Sequence, residues 1–333
     1  MSDTLGQIPL DPALLQNNSL DNVRTRIRRI VRSINFELLE NNNAFRIHGP
    51  DLGYHLADPH LPQVLKTWSP PLGLNDVFLY RTHQQYFDLC FEDCWSGYFI
   101  TKALSGYTGD IVLLHLDDHT DMMPTLLAQT DTGLMNPVTA RIFDPSHPAD
   151  WISAIKTGCI SIGDFITPLF HSGRRIHVRH LNNSSPGHAS PVPVSRAFCS
   201  YPEIPGYRFA TLTKEENSSP GADGSYLAGP DPFTLFEALP AGKVILHIDL
   251  DYFINDFNGN VGALPPLSPK ELYLRAQGKL ASFLKALTPL QPRIELKIVA
   301  TSPGFCCALH WNGLLQELRH GLGSFLNESE AGP

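Results

Sequence analysis

The hydrophobic positions of this chain follow two rhythms. Apolar runs over Ile111–Leu114, within Gly242–Phe253 and over Ile294–Ala300 have the length and composition of buried strands. Val77–Tyr80 is a short strand candidate, and Arg174–Leu181 alternates enough to be another. Helical spacing instead places Val23, Ile27, Ile30, Val31, Ile34 and Leu38 on one face, which predicts a helix over 21–40. Its other face carries Arg24, Arg26, Arg28, Arg29 and Arg32, either a solvated side or a contact for an acidic partner such as another subunit. A helix over 150–157 is predicted to stop at Gly158. Cys159–Ile166 reads as a strand or tight turn leading into a helix. Ser268-Pro-Lys-Glu271 forms a capping box with proline at the first helical position. Leu272, Ala276, Leu280, Phe283 and Leu287 then follow at helical spacing as core packing, and a last helix is expected over 308–318.

Between these elements, residues 1–18 read as an irregular lead-in. Residues 41–75, rich in Asn, Pro, Gly and His, read as a loop-dominated connection. Residues 182–232 are rich in Pro, Ser, Asn and Gly and read as a loop insertion, a lid or peptide-binding wall beside a site or else decoration. Strands alternating with helices predict an α/β fold, a three-layer α/β/α sandwich with a mainly parallel sheet. The expected organisation is an N-terminal helix and loop extension over 1–75 and one main domain over 76–326, with no internal repeat.

Composition narrows the options. The 333 residues suffice for one large α/β domain or two small ones, and 42% hydrophobic content is ordinary for a globular chain. A net charge of −8 argues against a general nucleic-acid binder and suits a cationic substrate. No segment approaches 18 uninterrupted apolar residues, so no membrane span is expected. The first residues lack a basic start and an apolar core, so no secretory signal is expected either, and the expected location is cytoplasmic. Six scattered cysteines without a CxxC pair read as free thiols rather than disulfides or structural zinc.

Candidate chemistry sits where the apolar runs end. Asp110-Ile-Val-Leu-Leu-His-Leu-Asp-Asp-His-Thr-Asp121 closes on Asp117, His119 and Asp121, spaced so that an extended backbone points them to one side. The run within Gly242–Phe253 closes on Asp249 and Asp251. Carboxylates beside apolar runs are costly to desolvate unless paired or coordinated. Two such strand ends together suit divalent ions of the Mn/Zn/Fe class.

These motifs resemble the ureohydrolase superfamily of arginase and agmatinase. The wording His-Leu-Asp-Asp-His-Thr-Asp, Ile-Asp-Leu-Asp-Tyr-Phe and Ala300-Thr-Ser-Pro-Gly-Phe305 is similar to the peptide arginases, which convert arginine side chains of ribosomally made peptides to ornithine. The resemblance covers roughly residues 75–315. It implies two Mn2+ ions per chain, one held by His83, Asp117, Asp121 and Asp249, the other by Asp117, His119, Asp249 and Asp251. The ligand His83 is matched loosely, in Thr82-His-Gln-Gln-Tyr-Phe. It also implies a hydroxide formed between the ions that attacks the guanidinium carbon, with Asp121 relaying a proton to the leaving amine. Carboxylate-rich, thiolate-free coordination favours Mn over Zn.

Two departures from small-molecule arginases bear on the substrate. Met123 stands where they place an asparagine for the free α-carboxylate, which favours an arginine-containing precursor peptide. Val299-Ala-Thr-Ser-Pro lacks the glutamate that grips the guanidinium. Asp164, in an apolar run, either replaces that glutamate or caps the following helix. His115 and His247 read as satisfied core histidines or as groups orienting the ligands. His171, His177 and His180 are candidates for a proton shuttle, with no spacing to single one out. The alternatives are a ureohydrolase acting on a free guanidino compound such as agmatine, and a non-catalytic metal-containing module that binds a peptide through 182–232. A homo-oligomer is left open.

Overall fold

A computed structural model describes residues 6–39, 41, 43–183, 187–214, 221–264 and 267–329, the last six by backbone alone. The N-terminal region is more ordered than its composition suggests. Strand β1 (Gln7–Pro9) and helix α1 (Pro12–Gln16) occupy the expected lead-in, followed by α2 (Leu20–Ile30), β2 (Ile34–Leu39) and β3 (Ala44–Pro50). These strands form a three-stranded antiparallel sheet in the order β1-β3-β2. The helix expected over 21–40 therefore ends ten residues early. Ile34, Phe36 and Leu38 alternate at the period of a strand as well as fitting a helical face, and pairing with β3 selects the strand. The connection expected over 41–75 holds β3, a 3-10 turn at Gly53–Ala57 and helix α3 (Leu61–Thr67).

Residues 77–80 are not a strand either. Helix α4 (Leu74–Val77), capped by Asp76 on the Gly73 amide, leads instead into β4 (Arg81–His83) and β5 (Asp88–Cys90). Next come α5 (Trp95–Ala103), β6 (Ile111–Leu116), β7 (Ala128–Thr130), β8 (Gly133–Asn136), β9 (Arg141–Phe143), α6 (Pro148–Thr157), α7 (Ile166–Phe170) and β10 (Ile176–Leu181). The chain closes with β11 (Val192–Cys199), β12 (Phe209–Lys214), β13 (Gly224–Gly229), α8 (Pro232–Phe236), β14 (Lys243–Asp249), α9 (Pro269–Leu287), β15 (Ile294–Ala300) and α10 (Trp311–Ser329). Gly158, at φ 77°, ends α6 as its position after the last apolar turn predicts, and the capping box at Ser268 opens α9.

Twelve of these strands make one mixed sheet in the order β4-β5-β15-β14-β6-β10-β13-β11-β12-β7-β8-β9. Its centre, from β5 to β13, is parallel, and both margins are antiparallel. Strands β6 and β10 are buried at every residue, as a parallel sheet covered on both faces requires. Leu113, Ile245 and Ile298 pack on one face with Trp95, Trp151 and the N-terminal residues Ile27 and Phe45. Leu114, Leu246 and Ile248 pack on the other with Phe283, Trp311 and Leu318 from α9 and α10. The chain is thus an α/β protein with helices on both faces of a large sheet. Ile8, Val23, Ile27, Phe45 and Ile47 of the N-terminal region belong to its core.

The loop insertion expected over 182–232 contains three strands of the main sheet. Strands β11, β12 and β13 extend the ladder past β10. Glycine marks close packing here rather than a loop, because a Cβ on Gly224 would fall 1.9 Å from the Ile176 carbonyl oxygen.

Topology decides where a site can form. The chain runs outward from β6 to β10 and β13, then returns to lay β14 on the opposite flank of β6. That reversal is a switch point, and crevices open beyond the carboxyl ends of the strands flanking it. Those ends are Leu116–Asp117 and Ile248–Asp249.

Candidate metal centre

Register brings the two acidic motifs together. His115 pairs with His247 and Leu116 with Ile248, so Asp117 and Asp249 leave adjacent strands at one level. The two histidines meet at 2.9 Å between their Nδ1 atoms and are fully buried, so one ring donates to the other. Burial and the neighbouring His180 push His247 down to about 3, and burial likewise holds His115 well below the usual imidazole range. Both rings are therefore neutral packing partners beneath the carboxylates. His115 Nε2 lies 3.8 Å from Asp117 Oδ2 and 3.7 Å from Asp121 Oδ2.

Asp117, His119 and Asp121 converge, but not by strand alternation. Strand β6 ends at Leu116, and the next five residues bend. Asp121 adopts φ 49°, in the left-handed region that non-glycine residues rarely enter. The turn is held by the Ile166 amide donating to the Asp121 carbonyl and by the His119 amide donating to Asp117 Oδ1 at 2.6 Å. Beyond β14, the Asp251 amide donates to Asp249 Oδ1, and Ser302 Oγ donates to Asp249 Oδ2 at 2.8 Å. Ser302 stands just past β15, also at positive φ, so a third strand end contributes.

The cluster carries more negative charge than its neighbours satisfy. Asp117, Asp121, Asp249 and Asp251 are each buried. Asp117 Oδ2 and Asp121 Oδ2 are buried without a hydrogen-bond partner. His119 Nδ1 approaches Asp251 Oδ2 to 2.9 Å, yet that oxygen also lacks a hydrogen bond of acceptable geometry. Buried carboxylate oxygens left without a donor are places where a cation could bind. The donor atoms of Asp117, His119 and Asp251 all lie within 4.8 Å of one another. Burial first, and mutual repulsion next, hold the Asp117, Asp121 and Asp249 carboxyls well above the usual carboxylate range. Burial works to lower His119, but the close approach and charge of Asp251 outweigh it and raise the imidazole to about 10. The cluster thus draws in positive charge.

His83 does not belong to it. It lies on β4, antiparallel to β5 and opposite Asp88, with its side chain 84% exposed and Nδ1 2.8 Å from Asp88 Oδ1. Strands β4 and β14 are three strand spacings apart, roughly 14 Å across the sheet. Residues 81–90 form the β4–β5 hairpin, and the next helix, α5, begins at Trp95.

At that later helix start the sequence reading missed Asp93. It lies between β5 and α5, buried, with Oδ1 satisfied by no donor and a long bond from the Gly163 amide to Oδ2 (3.4 Å). Its carboxyl interacts with Asp121, Asp117 and Asp249, and burial, followed by the charge of Glu92, pushes it up to about 7. The signal was present in Leu89-Cys-Phe-Glu-Asp93, an apolar strand closing on acids like the other two. Glu92 itself is occupied: Tyr54 donates to it at 2.6 Å, and His55 Nε2 lies 2.5 Å from its second oxygen.

The cluster floors a cavity of about 1060 Å³. Asp164 lines it, with the Ser161 amide and hydroxyl occupying one site on each of its oxygens; it does not cap α7, whose N-cap is Phe165 with no side-chain cap bond. Met123 lines the wall, and Arg32 reaches over it, Nη1 4.0 Å from the sulfur. The Met123 region therefore has a cation beside it, which sequence reasoning did not foresee. Arg29 and Arg32 of the expected arginine-rich face rim the cavity, whereas Arg26 pairs with Glu203 at 2.7 Å. Among the described residues of 182–232, only Tyr201 lines the cavity. His171 and His177 bond to Thr211 and Ser225 away from it, and His180 sits beneath it on the Asp117 carbonyl. Among the described residues no helix is long and apolar enough to cross a membrane. The chain matches no protein-family model, and no curated protein matches it.

Proposed function

We propose that the protein is an arginase-like hydrolase that uses a pair of divalent cations, Mn2+ by preference, to convert arginine side chains of a peptide to ornithine and urea. The observation that carries this reading is the set of five buried aspartates, 93, 117, 121, 249 and 251, with unpartnered oxygens on four of them, around the end of the switch-point strands. Buried carboxylates in this number are tolerated only when paired or coordinated. The donors fit the expected ions: hard oxygens with one imidazole suit Mn2+ better than Zn2+. One ion would be held by Asp117, His119, Asp249 and Asp251. The other would be held by Asp93, Asp117, Asp121 and Asp249, with Asp93 in the place the resemblance gives to His83.

When bound, such ions supply Lewis acidity and make water nucleophilic near neutral pH. The protein's own groups do the rest. The acidic floor attracts the cationic guanidinium. Each Asp164 oxygen keeps acceptor capacity after its bond from Ser161 and can take a guanidinium N–H. Asp121, with Oδ2 unpartnered beside His115, accepts a proton from the attacking water and returns it to the leaving nitrogen. Water adds to the guanidinium carbon, the bond to the side-chain nitrogen breaks, and ornithine and urea result.

The cavity, at the upper end of the range for pockets that enclose drug-sized ligands, leaves room for chain around the arginine. A second reading, a free guanidino acid, is favoured by Arg32 over Met123, where a carboxylate would find a cation. Mass spectrometry of co-expressed arginine-containing peptides, beside urea release from free guanidino compounds, separates the two. Loss of the amidino carbon and two nitrogens from a peptide supports the first. Urea from free compounds alone supports the second, and neither product sinks both.

A further inference from the structure

Outside the carboxylate cluster, a second group of ligating side chains is buried where three loops cross. Asp58 follows the 3-10 turn at Gly53–Ala57, Asp256 lies in the loop after β14, and Cys307 and His310 precede α10. All four are at least nine-tenths buried, and none lines the large cavity. A carboxylate oxygen of Asp256, Cys307 Sγ and a ring nitrogen of His310 lie within 4.8 Å of one another. Asp58 Oδ1 is 3.7 Å from the same sulfur, and His310 Nε2 is 3.6 Å from Asp256 Oδ2.

The partners of the two carboxylates differ. Asp58 is used by the fold: the His60 and Ala308 amides donate to its two oxygens at 2.8 and 2.7 Å. Asp256 is used only in half. The Cys307 amide donates to Oδ2, while Oδ1 is buried with no partner. An unsatisfied buried carboxylate oxygen is costly, and a bound cation is one way to offset that cost. Here a thiol and an imidazole stand beside it.

We propose that Asp256, Cys307 and His310, with Asp58 as the fourth donor, form a cation site separate from the carboxylate cluster and selective for Zn2+. Sulfur, nitrogen and oxygen donors on one ion are zinc chemistry, whereas the cluster under the cavity has no sulfur. Tetrahedral Zn2+ sets its donor atoms roughly 3.3–3.8 Å apart, so an ångström or so of side-chain adjustment closes the present arrangement. Binding deprotonates the Cys307 thiol and releases that proton to solvent.

The site acts as a staple. The Asp256 amide bonds to the Phe305 carbonyl, and the Gly259 amide bonds to that of Gly304. Between them Asn258 presents Oδ1 to His119 Nε2 at 3.1 Å, and Phe305 lies against the His119 ring. An ion joining Asp256 to Cys307 and His310 would therefore fix the two loops that orient His119. This inference does not depend on the reaction proposed above.

The test uses the full chain, stripped of metal and titrated with Co2+ in the presence of excess Mn2+. The readouts are the thiolate-to-cobalt charge-transfer absorption and elemental analysis. One thiolate-bound Co2+ per chain is expected, displaced by Zn2+, retained in Asp249→Ala and lost in Cys307→Ser. No such absorption at saturating Co2+, or the same absorption in Cys307→Ser, overturns the proposal. If Cys307→Ser does not fold, His310→Ala decides. Its Co2+ affinity should fall by more than the roughly 10–100-fold typical of an outer contact, and unchanged affinity overturns the site. In Asp249→Ala, Zn2+ but not Mn2+ should raise the melting temperature, and equal effects of the two ions count against it.

Discussion

Two histidine–aspartate pairs on one sheet look alike in distance and differ in every other respect. His83 and Asp88 meet at 2.8 Å on β4 and β5; His119 and Asp251 meet at 2.9 Å beyond β6 and β14. The first pair closes on itself, as register partners at the sheet margin with the histidine in water. The second is joined by Asp93, Asp117, Asp121 and Asp249, several with desolvated oxygens that nothing in the protein satisfies. Proximity of ligand-type residues therefore does not mark a metal centre here. A surplus of buried lone pairs is what makes the second cluster the candidate, because such oxygens are costly to desolvate unless paired or coordinated.

The comparison breaks most sharply at the carboxylate shared by both proposed ions. Asp249→Ala should reduce bound metal from two ions per chain to none and take urea release to background; two retained ions by elemental analysis would refute the sharing. Asp93→Ala should lose one ion, with turnover falling beyond the roughly 10–100-fold of an outer-contact loss. Unchanged stoichiometry would return that ligand position to another residue.

Smaller effects sharpen the contrast. Adding Mn2+ at 100 times its dissociation constant should stabilise the metal-free chain by about 2.7 kcal/mol, measured in urea melts. No shift would mean that the cluster holds no ion. Ser302→Ala removes only the hydroxyl that donates to Asp249 Oδ2 and should weaken metal binding by roughly 10–100-fold. His83→Ala is expected to leave metal content and turnover unchanged and stability within about 0.5 kcal/mol. Loss of an ion in that variant would overturn the assignment of His83 to the sheet margin.

Much of the centre was legible in the chain. The runs ending at Asp117 and Asp249 are fully apolar over several residues, so periodicity alone marks them as buried strands, and acids that close such runs are conspicuous. The same rule applied to β5 would have found Asp93. That strand is only three residues long and lies next to an exposed histidine of a familiar ligand type, so the histidine drew the assignment instead. Residues 34–39 misled for a different reason: their local pattern fits a helix or a strand, and pairing with β3 chose the strand. Strands β11, β12 and β13 lie in a stretch whose Pro, Ser, Asn and Gly content reads as loop, and pairing with one another and with β10 makes them sheet.

The order of residues by itself determined that acidic groups would cap buried strands, since apolar stretches must leave water and the charges after them resist doing so. Which caps became neighbours was decided only in three dimensions. The chain returns to set β14 against β6, a left-handed backbone turns Asp121 inward, and a hairpin keeps His83 at the margin. Side chains distant along the chain share an ion only if the sheet pairs their strands in register, and no local spacing encodes that pairing.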